Sequence, residues 1–81
     1  MADQETDESV FETIRRLVEE EHKLWDRVDL DYSAQARLET IRVELDRYWD
    51  LLRQRRALRE FGEDPNRAHI RPASVVEKYK Q

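Results

Sequence analysis

Four arginines, Arg53, Arg55, Arg56 and Arg59, crowd the segment WDLLRQRRALRE, Trp49 to Glu60. Clustered guanidinium groups neutralise phosphates, and every such contact makes binding fall with salt. A nucleic-acid or ribosome-associated factor would use these four together with Arg67 and Arg71. The run itself argues for something plainer. No aromatic residue is interleaved to stack on bases, and the arginines spread around a helix instead of lining one stripe. Cations also suit the negative end of a helix dipole.

A second candidate is Glu19-Glu20-Glu21-His22. Glu19 and His22 have the i, i+3 spacing that carboxylate-bridged metal sites use inside four-helix bundles. Both residues fall outside the apolar seam of their segment, so they read as an exposed pair and no metal site is expected. Glu21 falls on the seam. A buried carboxylate needs a partner, for which Arg42 or the Tyr48 hydroxyl is placed, and a polar seam residue commonly fixes register. Ser9, Ser33 and Ser74 all stand where helix caps are needed, and no base is spaced to activate any of them. His69 is a lone tail histidine. With no glycine-rich phosphate loop either, no catalytic residue and no cofactor are expected: this is not an enzyme.

Chemistry this sparse turns attention to the scaffold. Eighty-one residues make one small domain, and the absence of cysteine removes disulfides as a source of stability. Self-association is the staple left, so a homodimer is expected. The formal net charge of −4 opposes generic attraction to nucleic acid or anionic lipid. No apolar run approaches the ~18 residues of a membrane span, and the acidic opening MADQETDE resembles neither a secretory signal nor a transit peptide. A soluble cytoplasmic protein is expected.

The one glycine, Gly62, and both prolines, Pro65 and Pro72, fall in the last quarter of the chain. Everything before them is free of breakers, which favours helix. Helix 1 is expected over about 8–28, opened by a capping box at Ser9-Val-Phe-Glu12, with Val10, Ile14, Leu17, Leu24 and Val28 on its seam. The segment Asp29-Leu30-Asp31-Tyr32-Ser33 breaks the pattern, with Asp31 or Ser33 as the next cap. Helix 2 is expected over about 34–61, with Ala34, Leu38, Ile41, Leu45, Tyr48 and Leu52 on its seam and Gly62 closing it in the left-handed conformation. Glu63-Asp64-Pro65-Asn66 reads as a turn. Ser74-Val-Val-Glu77 has capping-box spacing for a short terminal helix within the tail, residues 62–81.

A short connection makes the two long helices antiparallel neighbours. Folding about it pairs Leu24 with Leu38, Leu17 with Leu45, Ile14 with Tyr48 and Val10 with Leu52. All are a-to-d contacts of the antiparallel knobs-into-holes kind. The same register sets Arg55 opposite Asp7 and Arg59 opposite Asp3, so the arginine run has acidic mates in its own chain. The fold class is therefore all-α: a coiled-coil-like antiparallel two-helix hairpin, residues 1–81 as a single domain. The seam is not flanked only by polar residues. Phe11, Val18 and Trp25 recur every seven residues at e, Trp49 is at e of helix 2, and Leu51 and Leu58 are at g. Left bare, these make an apolar patch too large for a monomer. Either the tail covers it with Ile70, Val75, Val76 and Tyr79, or a second hairpin does and a four-helix dimer results.

One resemblance reaches across nearly the whole chain. The run Leu45-Asp46-x-x-Trp49-Asp50-Leu51-Leu52-Arg53-Gln54-Arg55-Arg56-Ala57, with Arg59-Glu60, Gly62, Asp64-Pro65 and Ala68, resembles the core of an uncharacterised actinobacterial family, domain of unknown function 2630. Arg71-Pro72, Val76-Glu77, Tyr79, Gln81 and the pair Glu21-His22 fit its pattern too. That pattern often has a cysteine before the tryptophan and a glycine after the terminal Val-Glu, where this chain has Tyr48 and Lys78. The first change speaks against a thiol role; the second favours a helical end over a turn. The resemblance implies a stand-alone small protein and carries no activity with it. The sequence thus points to a non-enzymatic interaction or structural module with a protein partner still to be identified. Its candidate surface is Phe11, Val18, Trp25, Trp49, Leu51 and Leu58. Arg53, Arg55, Arg56 and Arg59 serve either as an intrachain charge lock or, in the nucleic-acid alternative, as phosphate contacts.

Overall fold

The computed structural model describes residues 6–27 and 32–78. Helix α1 spans Asp7–Trp25, α2 spans Tyr32–Glu60, a single 3₁₀ turn spans Pro65–Arg67, and α3 spans Ala73–Lys78. There is no strand among the described residues.

The start of α1 lies one turn before the expected capping box. Thr6 is the N-cap: its hydroxyl accepts the Ser9 N–H at 3.0 Å, while the Ser9 hydroxyl accepts the Thr6 N–H at 3.0 Å. Ser9 thus fills the role expected of Glu12, and Asp7 and Glu8 enter the first turn, where the dipole favours them. Ser33 is a correction as well. It lies in the first turn of α2 and does not cap it; Asp31, the other proposed cap, lies outside the described residues, as do Val28 and the Asp29–Leu30 break.

At its far end α2 stops as glycine dictates. Gly62 takes φ 76°. The Gly62 N–H donates to the Arg59 carbonyl at 3.0 Å and the Glu63 N–H to the Leu58 carbonyl at 2.8 Å, a Schellman closure. Asp64 then accepts the Asn66 N–H at 2.9 Å, and Pro65 opens the 3₁₀ turn, where a missing N–H costs nothing. The terminal helix forms, but Ser74 is inside it. Its opening acceptor is the Pro72 carbonyl, which takes the N–H groups of Val75 and Val76 at 3.0 and 3.2 Å.

Two ion pairs fix direction and register. Asp7, at the start of α1, meets Arg55 near the end of α2, and Glu20, near the end of α1, meets Arg37 near the start of α2. Only antiparallel helices allow both. Val10, Ile14 and Leu51 form a buried cluster on which Val18, Leu45, Tyr48, Leu52, Ala68 and Ile70 pack. Leu17, Ala34, Leu38 and Ile41 continue the core toward the connection. Fully burying one such aliphatic side chain contributes about 1.5–3 kcal/mol, so the seam is the main source of the hairpin's stability. Leu51 overturns its expected place on the interaction surface: it is 3% exposed, under Ala68 and Ile70 of the tail. Leu58 is half-buried. Returning along the g edge, the tail turns what would be a bare flank into a third side of the core.

Candidate interaction face

The two edges of the hairpin end differently, and the tail decides how. On the g edge, Asp50 is buried at 3% exposure on the outer side of α2. Arg71 donates to it through Nε at 2.9 Å and also through Nη2, and Gln54 adds a third hydrogen bond at 2.9 Å. The Arg71 guanidinium, then Gln54, hold the Asp50 carboxyl below its usual range against the opposing effect of burial. Gln54 also donates to the His69 carbonyl at 2.8 Å, and Arg47 to the Arg71 carbonyl at 2.9 Å. Four side chains therefore clamp residues 69–71 onto α2. Both halves of this latch lie in the runs that carry the family resemblance, around Trp49-Asp50 and Arg71-Pro72.

The arginine run divides in the same way. Arg55 is buried; its Nε donates to Asp7 at 2.6 Å and its Nη1 to Asn66 at 2.9 Å, tying α1, α2 and the 3₁₀ turn together. Arg59 reaches the other oxygen of Asp7 at 2.7 Å. Hydrogen bonds from Arg55 and then Arg59 keep the Asp7 carboxyl below its usual range. Asp3, the partner expected for Arg59, lies outside the described residues. Arg67 pairs with Glu63. Arg53 and Arg56 are exposed and have no ion pair among the described residues.

On the e edge the surface stays open. Phe11 is 47% exposed, Trp25 56% and Trp49 42%, with Val18 half-buried beside them. The Phe11 and Trp49 rings meet edge to face, centroids 6.1 Å apart at 80°, an arrangement that aromatic quadrupoles favour. A groove of about 340 Å³ runs along this pair, lined by Asp7, Phe11, Trp49, Leu52, Arg53, Arg56 and Arg59. Along α2 no aromatic is interleaved among the arginines; the fold sets Phe11 of α1 with Trp49 at their edge. A second hollow of about 460 Å³ is lined by Asp50, Gln54 and Arg71 of the latch together with Arg53 and Ala57.

Sequence reasoning missed the Asp50 latch altogether. The one clue was Val43, a half-buried apolar residue one heptad before Asp50 in the same row. It also missed Glu20, which accepts from Arg37 Nε at 2.8 Å and Nη2 at 3.0 Å. Those hydrogen bonds lower the Glu20 carboxyl and raise the Arg37 guanidinium. Glu21 is half-buried, and Arg42, one of its two expected partners, turns to Glu39 at 3.4 Å. Glu19 and His22 are both exposed, and among the described residues no three metal-ligating side chains gather.

Comparison with known proteins settles the kinship. The model of a family described as "Protein of unknown function (DUF2630)" matches residues 6–81. The chain belongs to this family. It is similar to an uncharacterized protein of Mycobacterium bovis and to uncharacterized proteins of two strains of Mycobacterium tuberculosis. Each is 48% identical over 80 residues, covering 91% of this chain and 90% of the relative. No solved structure matches the chain significantly. No helix among the described residues is long and apolar enough to cross a membrane.

Proposed function

We propose that this chain is a small, non-enzymatic interaction module of the cytoplasm, working through the open edge of its hairpin. The observation that carries this reading is the contrast between edges: the chain seals one with its own tail and leaves Phe11, Trp25 and Trp49 in solvent on the other. Exposed aromatic side chains grouped on one face, rimmed by charge, are the usual make-up of a protein-binding surface. A lysate pull-down with the full chain tests it, comparing wild type with Phe11→Glu and Trp49→Glu. A stoichiometric partner, or the chain itself, is retained by wild type and lost by both variants. Retention that ignores these substitutions, or none in either case, sinks the reading.

The placement of Phe11 and Trp49 beside Arg53 and Arg56 favours a second reading, the single-stranded nucleic-acid or ribosome-associated factor. It is narrower than the sequence suggested, since Arg55, Arg59, Arg67 and Arg71 are engaged by acidic groups of the chain. It requires affinity that drops steeply with salt and weakens in Arg53→Ala/Arg56→Ala. A flat salt response removes it.

A further inference from the structure

The open edge has charged borders, and their pattern specifies an occupant. Along α1 the border row is Glu8, Arg15, His22, each seven residues on; along α2 it is Glu39, Asp46, Arg53. With Asp7 level with Arg55, each step up α1 is a step down α2. Glu8 is then level with Arg53, Arg15 with Asp46, and His22 with Glu39. Every level holds opposite or hydrogen-bonding partners. Within one chain these rows form the two outer borders of the same face, on either side of the aromatic strip, so they do not meet.

We propose that the occupant is a second copy of this chain, turned about a two-fold axis parallel to the hairpin so that α1 of each copy lies over α2 of the other. This rests on the interaction-module reading above. That axis makes every neighbouring helix pair antiparallel, as in four-helix bundles. It brings each α1 border onto the partner's α2 border at unchanged levels, giving three complementary pairs on each side of the interface. It also puts Phe11 of one copy at the level of the other copy's Trp49, so both ring pairs gather at one end of the aromatic strip. The alternative axis, which lays α1 on α1, sets Arg15 against its own copy and Glu8 against His22. Charge selects the first arrangement.

The groups involved are accessible. Glu8, Arg15, His22, Glu39 and Arg53 are exposed. Arg15 and Glu39 have only loose pairs on their own helices, to Glu12 at 3.8 Å and to Arg42 at 3.4 Å, which cost little to exchange. Asp46 is half-buried and interacts within its own chain as well. The face is about 28 Å long from the rise of α1 and about 20 Å wide from two helix diameters. That footprint, roughly 500–600 Å² per copy, lies near the lower end for a specific interface. A micromolar dimer is the expectation.

Sedimentation of the full chain across the micromolar range tests this, with circular dichroism to confirm that each variant is folded. Wild type should shift toward twice its 9.9 kDa mass as concentration rises. Arg15→Glu and Asp46→Arg should each weaken the dimer by about tenfold or more, because each homodimer carries two like-charge contacts. An equimolar mixture of the two variants should recover affinity to within about threefold of wild type, since both borders then become complementary. Two results overturn the proposal. One is a wild type that stays at 9.9 kDa throughout. The other is a dimer in which the mixture associates no better than the variants alone, or in which Arg15→Glu pairs with wild type more tightly than wild type pairs with itself, the sign of α1 on α1. Either can occur while the pull-down still finds a partner lost with Trp49→Glu, in which case the module reading stands and only its occupant or geometry has failed. If the pull-down is empty too, both fail.

Discussion

The g edge and the e edge of this hairpin begin alike, with apolar residues in rows of seven beside a common seam, and end opposite. Leu51 on the g edge is 3% exposed beneath the tail; Trp49, two residues away on the e edge, is 42% exposed. Apolar content does not separate them, since the e edge is the more aromatic. What separates them is a buried carboxylate: Asp50 captures Arg71 and thereby lays residues 68–70 across Leu51. A hydrophobic edge is non-directional and accepts any cover. A bidentate charge pair has a place and an orientation. The lesson is that a polar anchor chooses which apolar surface a small chain buries for itself and which it leaves for others.

The largest effect should come from breaking that anchor. Asp50→Ala strands the Arg71 guanidinium and Gln54 and frees the tail, and we expect a loss of about 3 kcal/mol, since removing one partner of a buried pair costs about 3–5 and Arg71 is partly solvated. On a domain this small each kcal/mol moves Tm by about 4–8 °C, so thermal melting reads it directly. Increased binding of a hydrophobic dye would show Leu51 uncovered. An unchanged melt would mean that apolar contact alone seats the tail and that the edges differ for another reason.

Acid should act in the same direction. Asp7, Glu20 and Asp50 are held below their ordinary carboxylate range in the folded chain. Their stabilising contribution is complete above the unfolded Asp and Glu values, about 3.9 and 4.3. It is lost as pH falls through the lower folded values. Urea midpoints should therefore hold from pH 7 to about pH 5 and drop toward pH 3. Asp50→Asn, less stable at neutrality, should show a shallower drop, because one of the linked carboxylates is gone. An equally steep drop in that variant would remove Asp50 from the linkage.

Smaller effects sharpen the contrast. Arg59→Ala should cost under about 1 kcal/mol, because both members of its pair with Asp7 are well exposed and Arg55 keeps its hold. On the open edge, Trp25→Ala should change monomer stability by about 0.5 kcal/mol or less, as is usual for exposed positions. A melt as depressed as that of Asp50→Ala would show that Trp25 is packed in the folded monomer, and the edge would not be open.

Much of this was legible in the residues. The seven-residue apolar spacing gave the hairpin and its register, and Val10, Ile14, Leu45, Tyr48 and Leu52 pack around one cluster as that register requires. Gly62 closes α2 because only a residue without Cβ takes φ 76° freely. The Arg55–Asp7 pair followed from the same register. The caps were harder, since Thr6, Ser9 and Glu12 offer overlapping boxes and only the built turn selects Thr6 with Ser9. Asp50 was not legible as buried. A lone aspartate in an outer row reads as solvated, and its partner returns from the tail with no period to announce it.

Sequence alone determined the helices, their direction and the level at which each residue of α1 meets α2. Those follow from local periodicity, which a helix converts into geometry without further information. Tertiary structure decided which edge would be closed, that Arg55 would serve the interior while Arg53 and Arg56 face solvent, and that Phe11 and Trp49 would share a groove with arginines. Each of these depends on segments meeting across the fold, where a charge pair or a ring contact chooses among surfaces that the repeat had left equivalent.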